Sequence, residues 1–495
     1  MDAIFFVRLG FVLLCAAGLV LLLRKPGAAA RGFQQFFFEP SSPLNLGLLR
    51  AAIFFLLFKH AVESPAVWYA GLPEQFRDLP RGWVWLDPLL PFLIRHTQAF
   101  VRITIVSCAF AAVGLFTRPA VIIAAVSTLY IFGVPNFYFK IGHGLHIPVL
   151  CAFVFAVSPV GDAFSLDRLL GPHRGKRVAD SAAYTIPVRF SWLLIGTMYL
   201  YPGLWKLWES GDEWIDGTKL RAELFSKWAQ LPDFYPSVRL DHATWALVFF
   251  GVGTLLFEVG FFFAVFNRTS RVILAFSACA FHIGVGVAMN IWFDMTFPLL
   301  LLIDFPGIFE LPLLSKLAPK LIPAWRALMR KLTRGKSDEV ITIERDGAPA
   351  FAIGALLLFG NSVAGLAPVN SWAFSVYPRF EGRVSGDGVQ KSSYSIEFAL
   401  LQKDGSERPL KAQFDPMEDT ASVFRVVQAG LKEKKNVGQG RNTPYLALIG
   451  RIISENNGNL PAGSVIRMYR FDFPVDPDER RASKRTHSLL AEITL

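Results

Sequence analysis

Charged residues and cysteines are both scarce in this chain. Only 18% of the 495 residues are charged, whereas 53% are hydrophobic and the mean hydropathy is +0.40. So little charge argues against a soluble protein. The four cysteines lie in apolar runs without CxxC or zinc spacing, so they are interpreted as small core residues and not as a metal or disulfide framework. P-loop, GxGxxG and internal repeats are also missing.

Long apolar runs are what the chain does contain. Clear examples cover residues 3–23, 46–58, 120–134, 147–160, 190–201, 244–266 and 350–360. They predict an all-α polytopic membrane helical bundle with about nine to ten membrane segments. The first run contains Arg8 and is followed by Arg24 and Lys25, so it is predicted to be an anchor helix and not a signal peptide.

The placement of Lys and Arg gives a topology. Basic segments at 24–31, 167–177, 267–271 and 316–336 are predicted to be cytoplasmic, the last as an amphipathic helix. They also account for the net charge of +11 without nucleic-acid binding. The predicted membrane segments are 3–23, 46–62, 99–117, 119–134, 145–160, 187–207, 243–266, 271–290, a short piece at 296–305, and 349–366.

The C-terminal tail is a different kind of sequence, predicted to form a small α+β extramembrane domain outside the membrane. YSIEFALLQKDGSERPLKAQF alternates like a hairpin with its turn at Asp404-Gly405. SVFRVVQAGLKE and YLALIGRIISE have helical periodicity, and SVIRMYRFDFPV and LLAEITL are strand-like. The predicted division is an anchor helix (1–32), a membrane domain (33–312), a basic linker (313–348), a last transmembrane helix (349–368) and an exocytoplasmic domain (369–495).

Lys206 is the most informative ionisable residue, because YLYPGLWKLWESGDEWIDG places it at the predicted outer end of helix six. A lysine near hydrocarbon is paired, snorkelling or functional. It could snorkel to the interface near Glu209 or Asp212. It could also act as a base, since burial makes the free amine available near neutral pH.

Three histidines are predicted at the same outer level as Lys206, which suggests a site that opens outward. His143 and His146 begin helix five, and His282 lies in the outer half of helix eight. His282 could instead make a helix–helix hydrogen bond. The spacing of His143 and His146 permits metal binding, but no carboxylate or cysteine completes a set, so no metal is predicted.

The remaining candidates have structural interpretations beside functional ones. Glu258, deep in helix seven, is expected to be protonated or paired and to lock helices together. Arg50 and Arg102, near helix ends, are expected to snorkel or form structural pairs. Aromatic residues on helix six are interpreted as packing and interface anchors, or as a wall for a quinone or lipid ring: Trp192, Tyr199, Tyr201 and Trp205.

Several motifs resemble a known family. FFFEPSSPLNLGLLR, GLFTRPA and GHGLHIPVLCAFVFAVSPVGDAFSLDRLL resemble the HTTM domain, a membrane domain shared with vitamin K-dependent γ-carboxylases. The Lys206 segment resembles the carboxylase segment that holds the catalytic lysine. AFHIGVGVAMNIWFDMTFPLLLL resembles the later helix with a functional histidine. The resemblance covers roughly residues 33 to 305.

The resemblance implies a vitamin K-dependent carboxylase-like enzyme with coupled quinone epoxidation. Lys206 would deprotonate reduced vitamin K or another hydroquinone, with O2 and CO2 as co-substrates and a peptide glutamate as the carboxylated group. His282 would orient or stabilise the oxygenated intermediate. His143, or His146 because the offset is open, would match the family's earlier histidine, and His146, Trp205, Tyr199 and Trp192 would line the quinone or substrate site.

The expected setting is a bacterial inner membrane, with membrane lipid and an outer peptide or protein as partners and no nucleic acid. The tail does not match the longer outer region of the eukaryotic enzymes, so other functions stay open. One is peptide or toxin maturation, or other quinone-linked chemistry, without carboxylation. Another is a non-enzymatic scaffold or transporter, although a transporter predicts two related halves and the sequence has none.

Overall fold

The computed structural model describes residues 3–72, 77–138, 141–172, 176–230, 234–292, 340–367, 369–375, 392–411, 444–482 and 486–495, with isolated positions between these ranges. The chain divides into two compact units. Unit one contains residues 1–216, 248–284 and 292–383, and unit two contains residues 217–247, 285–291 and 384–495.

Most of the described chain is helical, as the sequence predicts. In chain order the helices are α1 (Ala3–Arg24), α2 (Pro26–Phe38), α3 (Pro43–Val62), α4 (Ala66–Ala70), α5 (Leu90–Arg95), α6 (Thr97–Val113), α7 (Thr117–Ile131), α8 (His146–Ala156), α9 (Leu166–Leu170), α10 (Ala182–Ile215), α11 (Thr218–Trp228), α12 (Thr244–Ala264), α13 (Arg268–Met289), α14 (Ala348–Leu366), α15 (Pro444–Asn456) and α16 (Pro477–Ala482). Short 3-10 helices cover Arg81–Leu89, Val134–Phe137 and Leu240–His242.

Five of the described helices are long and apolar enough to cross a membrane. The number becomes six if Arg81–Arg95 and α6, which are bent by 85° against each other, count as one broken span. An integral membrane fold is therefore confirmed, while the total of nine to ten segments stays a prediction. The predicted short segment 296–305 and the amphipathic helix within 316–336 lie outside the described residues.

Within unit one, segments predicted to be cytoplasmic contact each other. A backbone bridge joins Ser41 to Ser181. Strand β1 (Arg177–Val178) pairs in parallel with β2 (Val340–Ile341). Further along the chain, Arg345 forms a bidentate salt bridge with Asp162 at 2.6–2.8 Å. These pairs connect three segments that are separated in sequence by membrane helices: the segment after α1, the loop between α8 and α10, and the segment before α14.

Segments predicted to lie outside also contact each other within unit one. The backbone N–H of Asp78 donates to the carbonyl of Phe137 at 2.6 Å. The indole of Trp83 donates to the carbonyl of Trp372, also at 2.6 Å, and the indole of Trp372 donates to the carbonyl of Leu129 at 2.8 Å. The two groups of contacts are those that the predicted sidedness would produce, and the sidedness itself stays a prediction.

One basic segment is folded differently from its prediction. The sequence predicts a loop at 24–31, but Pro26–Phe38 form helix α2. Proline is favoured in the first turn of a helix, where its missing N–H costs nothing. The far end of α2 is held by packing, because Phe37 is buried with its ring 4.9 Å from that of Phe190 and 5.4 Å from that of Phe351.

The tail contains the predicted strands and one predicted helix, all in unit two. An antiparallel sheet has the order β4-β3-β5-β6, formed by β3 (Ser392–Leu401), β4 (Glu407–Pro409), β5 (Val465–Pro474) and β6 (Thr486–Thr494). The β3–β4 turn contains Gly405 with φ +82°, a conformation that favours glycine. Helix α15 corresponds to YLALIGRIISE, whereas SVFRVVQAGLKE lies outside the described residues.

Unit two also contains the predicted outer loop between α10 and α12. Arg239 forms salt bridges with Asp476 at 3.2 Å and with Asp478 at 2.6 Å. Arg480 donates to the carbonyl of Trp228 at 3.2 Å. The loop and the tail therefore contact each other within unit two, while their side of the membrane stays a prediction.

Candidate functional site

The helix that contains Lys206 is longer than the sequence predicts. The predicted end at residue 207 is wrong, because α10 continues to Ile215 across a kink at Ser210 (φ −145°, ψ 32°). The polar residues that suggested an end are compatible with a helix that has left the hydrocarbon. Near the kink, Arg8 of α1 donates to the carbonyl of Trp208 at 2.7 Å.

Lys206 forms a buried, hydrogen-bonded ion pair with Glu258 of α12. The two residues are only 3% and 7% exposed. Glu258 lies six residues, about 9 Å, before Ala264, the last residue of α12 and its predicted cytoplasmic end. The pair therefore lies deeper in the spans than the outer level predicted for Lys206. The lysine is therefore paired within the apolar spans. Of the acids predicted near it, Glu209 instead approaches Arg8 at 3.9 Å.

A glycine lets α10 and α12 approach closely at this pair. A Cβ at Gly203 would lie 2.8 Å from the Cβ of Glu258 and 3.1 Å from the backbone nitrogen of Val259. A Cβ essentially never approaches a non-bonded atom to within 3.0 Å, so only glycine fits here without a shift. Gly203 lies one turn before Lys206 and brings the carboxylate within reach of the amine.

Tyr199 and His282 form a second polar contact along the same helix. The tyrosine hydroxyl and His282 Nε2 are 2.6 Å apart, and both residues are buried. The Tyr199 ring stacks on Phe261 with centroids 4.2 Å apart, and Phe257 is 5.3 Å away. Helices α12 and α13 thus present a carboxylate, an imidazole and aromatic rings to α10.

On α10 after Lys206 and on Glu258 itself, three of the buried polar atoms without a hydrogen-bond partner among the described residues are Glu258 Oε2, Ser210 Oγ and Trp214 Nε1. The Trp214 ring centroid is 5.3 Å from Lys206 Nζ. Sequence reasoning did not single out Ser210 or Trp214. Their positions four and eight residues after Lys206 follow a helical face and could have identified them.

The two earlier histidines pack elsewhere in unit one. His143 precedes α8, so it does not share a helix face with His146, the first residue of that helix. Their rings are stacked with centroids 5.4 Å apart. His146 Nε2 is 3.1 Å from the carbonyl oxygen of Ser371, and its ring is 4.5 Å from Trp372. The structure therefore brings His282 to the Lys206 helix, and it places His146 against the segment that follows α14, with His143 stacked on His146.

The other aromatic candidates make packing contacts. Trp192 is buried, and its ring lies 4.2 Å from the guanidinium carbons of both Arg189 and Arg271. Trp205 donates its indole N–H to the carbonyl of Gly365 at 2.8 Å, which ties α10 to α14. Both arrangements fit the packing interpretation.

The two candidate arginines differ in their surroundings. Arg50 is fully buried and donates to the carbonyls of Phe164 and Ala112, the latter at 3.5 Å. It thereby joins α3 to the end of α6 and to the segment after α8, as expected of a structural residue. Arg102 is exposed on α6, as expected of a snorkelling one.

Comparison with known families assigns the membrane region. The HTTM domain matches residues 38–310, a range that contains the Lys206–Glu258 pair and His282. No curated protein and no solved structure matches the chain. The HTTM domain is the family of vitamin K-dependent carboxylase-related proteins. The matched range covers more than half of the sequence, and the chain therefore belongs to the HTTM domain family.

Proposed function

We propose that this protein is a membrane-embedded, vitamin K hydroquinone-dependent γ-glutamyl carboxylase-like enzyme in which Lys206 is the base. The observation that carries the proposal is the buried Lys206–Glu258 pair within the apolar helices of an HTTM domain. A polar pair in this position is costly and is not needed for packing, because an apolar pair of similar volume is often as stable or more so. A chemical role explains why the sequence contains it.

The pair gives Lys206 a way to act as a base at this depth. A hydrogen bond joins Nζ to Glu258 Oε1. When the shared proton resides on the carboxyl oxygen, Nζ is a neutral amine, and its single lone pair can accept a proton from a substrate hydroxyl once the amine turns away from the carboxyl group. The resulting ammonium group lies beside the oxygen anion that the proton transfer produces. Such electrostatic stabilisation is strong where water is excluded.

The surrounding residues fit an apolar aromatic ring. Tyr199, Phe257 and Phe261 form an aromatic group beside the pair. The Tyr199–His282 hydrogen bond fixes the direction of the hydroxyl and of the imidazole. Bound hydroquinone, with O2, supplies the strong base that removes a γ-proton from a peptide glutamate so that CO2 can add. In this proposal His282 orients the ring oxygen.

The proposed setting is a bacterial inner membrane, with the tail on the exocytoplasmic side and a peptide or protein substrate there. Unit two would be the part that meets this substrate, since it combines the tail with the predicted outer loop between α10 and α12. The contacts of Arg239 with Asp476 and Asp478 support a common side for these two segments.

Mass spectrometry tests the proposal. Proteins encoded by neighbouring genes are co-expressed with this chain, and their glutamates are searched for a mass gain of one carbon dioxide. We expect the gain with wild type and with Lys219→Ala, and we expect it to vanish with Lys206→Ala. Lys219 is a matched control, a mostly buried lysine whose Nζ is 2.7 Å from Glu223 Oε1. A gain that persists in Lys206→Ala would refute the role of Lys206, and no gain with wild type would refute carboxylation.

A further inference from the structure

We propose that Glu258 Oε2, Ser210 Oγ and Trp214 Nε1 form a hydroxyl subsite, which binds one hydroxyl of a reduced aromatic ring and discriminates against the oxidised ring. The proposal rests on the proposed function and deepens it, because it states how this site recognises the hydroquinone. None of the three atoms has a hydrogen-bond partner among the described residues.

The three atoms are buried beside the candidate base. Ser210 is fully buried, Trp214 is 3% exposed and Glu258 is 7% exposed. Lys206 Nζ contacts Glu258 through Oε1 and lies 5.3 Å from the centroid of the Trp214 ring. Most buried polar groups are hydrogen-bonded, and a buried group left unpaired costs about 1–3 kcal/mol. Glu258 and Trp214 contact the lysine and Ser210 lies four residues after it on α10, so we infer that a polar ligand atom satisfies the three groups.

The kink in α10 helps to position two of these groups. The non-helical backbone at Ser210 lies midway between Lys206 and Trp214. Helix α1 packs closely here, since a Cβ at Gly211 would lie 2.9 Å from Cγ1 of Val7. Arg8 of the same helix donates to a carbonyl two residues before the kink. The kink is therefore held in place by contacts with α1 within unit one.

The chemistry of the three atoms matches a phenolic hydroxyl. A phenol offers one O–H donor and acceptor lone pairs. In the bound ground state its O–H can donate to Glu258 Oε2, while its oxygen accepts from the Ser210 hydroxyl and the Trp214 N–H; the O–H turns to Lys206 Nζ when the proton is transferred. A quinone carbonyl can accept from the same two donors, but it has no proton for Oε2. The oxidised ring therefore leaves the carboxylate oxygen without a hydrogen bond, and the lone pairs of the quinone carbonyl repel that oxygen.

Binding of a redox pair of probes tests the subsite. Menadiol and menadione are titrated anaerobically into the full-length protein in lipid nanodiscs, and the Kd of each is measured. We expect wild type to bind menadiol about 5- to 100-fold more tightly than menadione, the equivalent of one unpaired buried acceptor. Trp214→Phe and Ser210→Ala should each weaken both probes about 3- to 10-fold, because both oxidation states use these donors.

Glu258→Gln gives the sharpest variant, since its amide N–H can donate to a carbonyl. We expect this variant to lose or reverse the preference for menadiol. Controls are Trp245→Phe, at an exposed tryptophan, and Ser191→Ala, whose buried hydroxyl donates to the carbonyl of Pro187 in its own helix. Both controls should keep the wild-type Kd values. If Glu258→Gln does not fold, Trp214→Phe and Ser210→Ala carry the test.

Two results would overturn the subsite while the proposed function stands. One is equal affinity of wild type for the two probes, and the other is unchanged affinity in both Trp214→Phe and Ser210→Ala. If neither probe binds to wild type, the subsite and the proposed quinone chemistry both fail.

Discussion

The Lys206–Glu258 pair leads to a prediction about stability that separates its structural role from its chemical one. In Lys206→Met or Glu258→Leu, one buried polar group remains within the spans after its partner is removed. Breaking a buried pair in this way costs about 3–5 kcal/mol in the free energy of unfolding. Both residues are almost fully buried, so little solvent screening reduces this cost.

The double variant Lys206→Met/Glu258→Leu should be destabilised by much less than the sum of the two single variants. Its apolar side chains have similar volumes to the residues they replace, so its stability should lie within about 1.5 kcal/mol of wild type. Independent effects would instead add to about 6 kcal/mol or more. The free energies are measured by titrating SDS into protein held in mild detergent, with recovery of the fold on dilution. Additivity of the single variants within about 0.5 kcal/mol would refute the pairing.

Three further predictions concern the surroundings of the site and unit two. Gly203→Ala should destabilise the protein by about 1–3 kcal/mol through overpacking. The control Gly253→Ala, where a Cβ would meet nothing within 4 Å, should be neutral or stabilising. Equal effects of the two variants in the SDS titration would contradict the close approach of α10 and α12. Tyr199→Phe removes a buried hydrogen bond to the imidazole on α13 and should cost about 1–3 kcal/mol in the same assay, and no loss would show that the bond does not form. Hydrogen bonds from Tyr235 and a neighbouring guanidinium lower the pKa of Asp478, so its carboxylate stabilises the fold at neutral pH and this contribution disappears as the pH falls below about 4 through the lowered pKa. The Tm difference between wild type and Asp478→Asn should therefore shrink in acid, and a difference that stays constant would contradict the ion pairing.

The membrane spans were predictable because their signal is local. Uninterrupted apolar runs determine α3, α12, α13 and α14, and the bounds in the structure differ from the predicted ones by a few residues. The contacts that join predicted cytoplasmic segments, such as the Asp162–Arg345 salt bridge, agree with the topology derived from basic residues. In the tail, alternation and the Asp404-Gly405 turn predicted the hairpin of β3 and β4.

The partner of Lys206 was not predictable in the same way. Glu209 and Asp212 are close to it in sequence, whereas Glu258 is on another helix. The choice depends on how α10 packs against α12, which in turn depends on the close approach at Gly203. Glu258 was correctly expected to be protonated or paired, because any acid within a span must be. Its partner required the three-dimensional arrangement.

The end of helix six and the beginning of helix five show a second limit. Polar residues after Lys206 suggested that the helix ends there, but polarity marks the end of the hydrocarbon and does not by itself end a helix. The structure continues α10 through the Ser210 kink and thereby brings Trp214 beside the lysine. His143 was predicted to begin helix five together with His146, but it lies before α8, whose first residue is His146.

The rate of hydroquinone oxidation tests most directly the central claim that Lys206 is the base. Purified protein in proteoliposomes is supplied with reduced vitamin K, and consumption of O2 is followed for wild type, Lys206→Ala and the Lys219→Ala control. Because a positioned base contributes about 100- to 10,000-fold to a proton transfer, we expect wild type and Lys219→Ala to oxidise the hydroquinone at the same rate and Lys206→Ala to lose at least about 100-fold. A Lys206→Ala variant that is folded and oxidises hydroquinone at the wild-type rate would contradict the claim that Lys206 is the base.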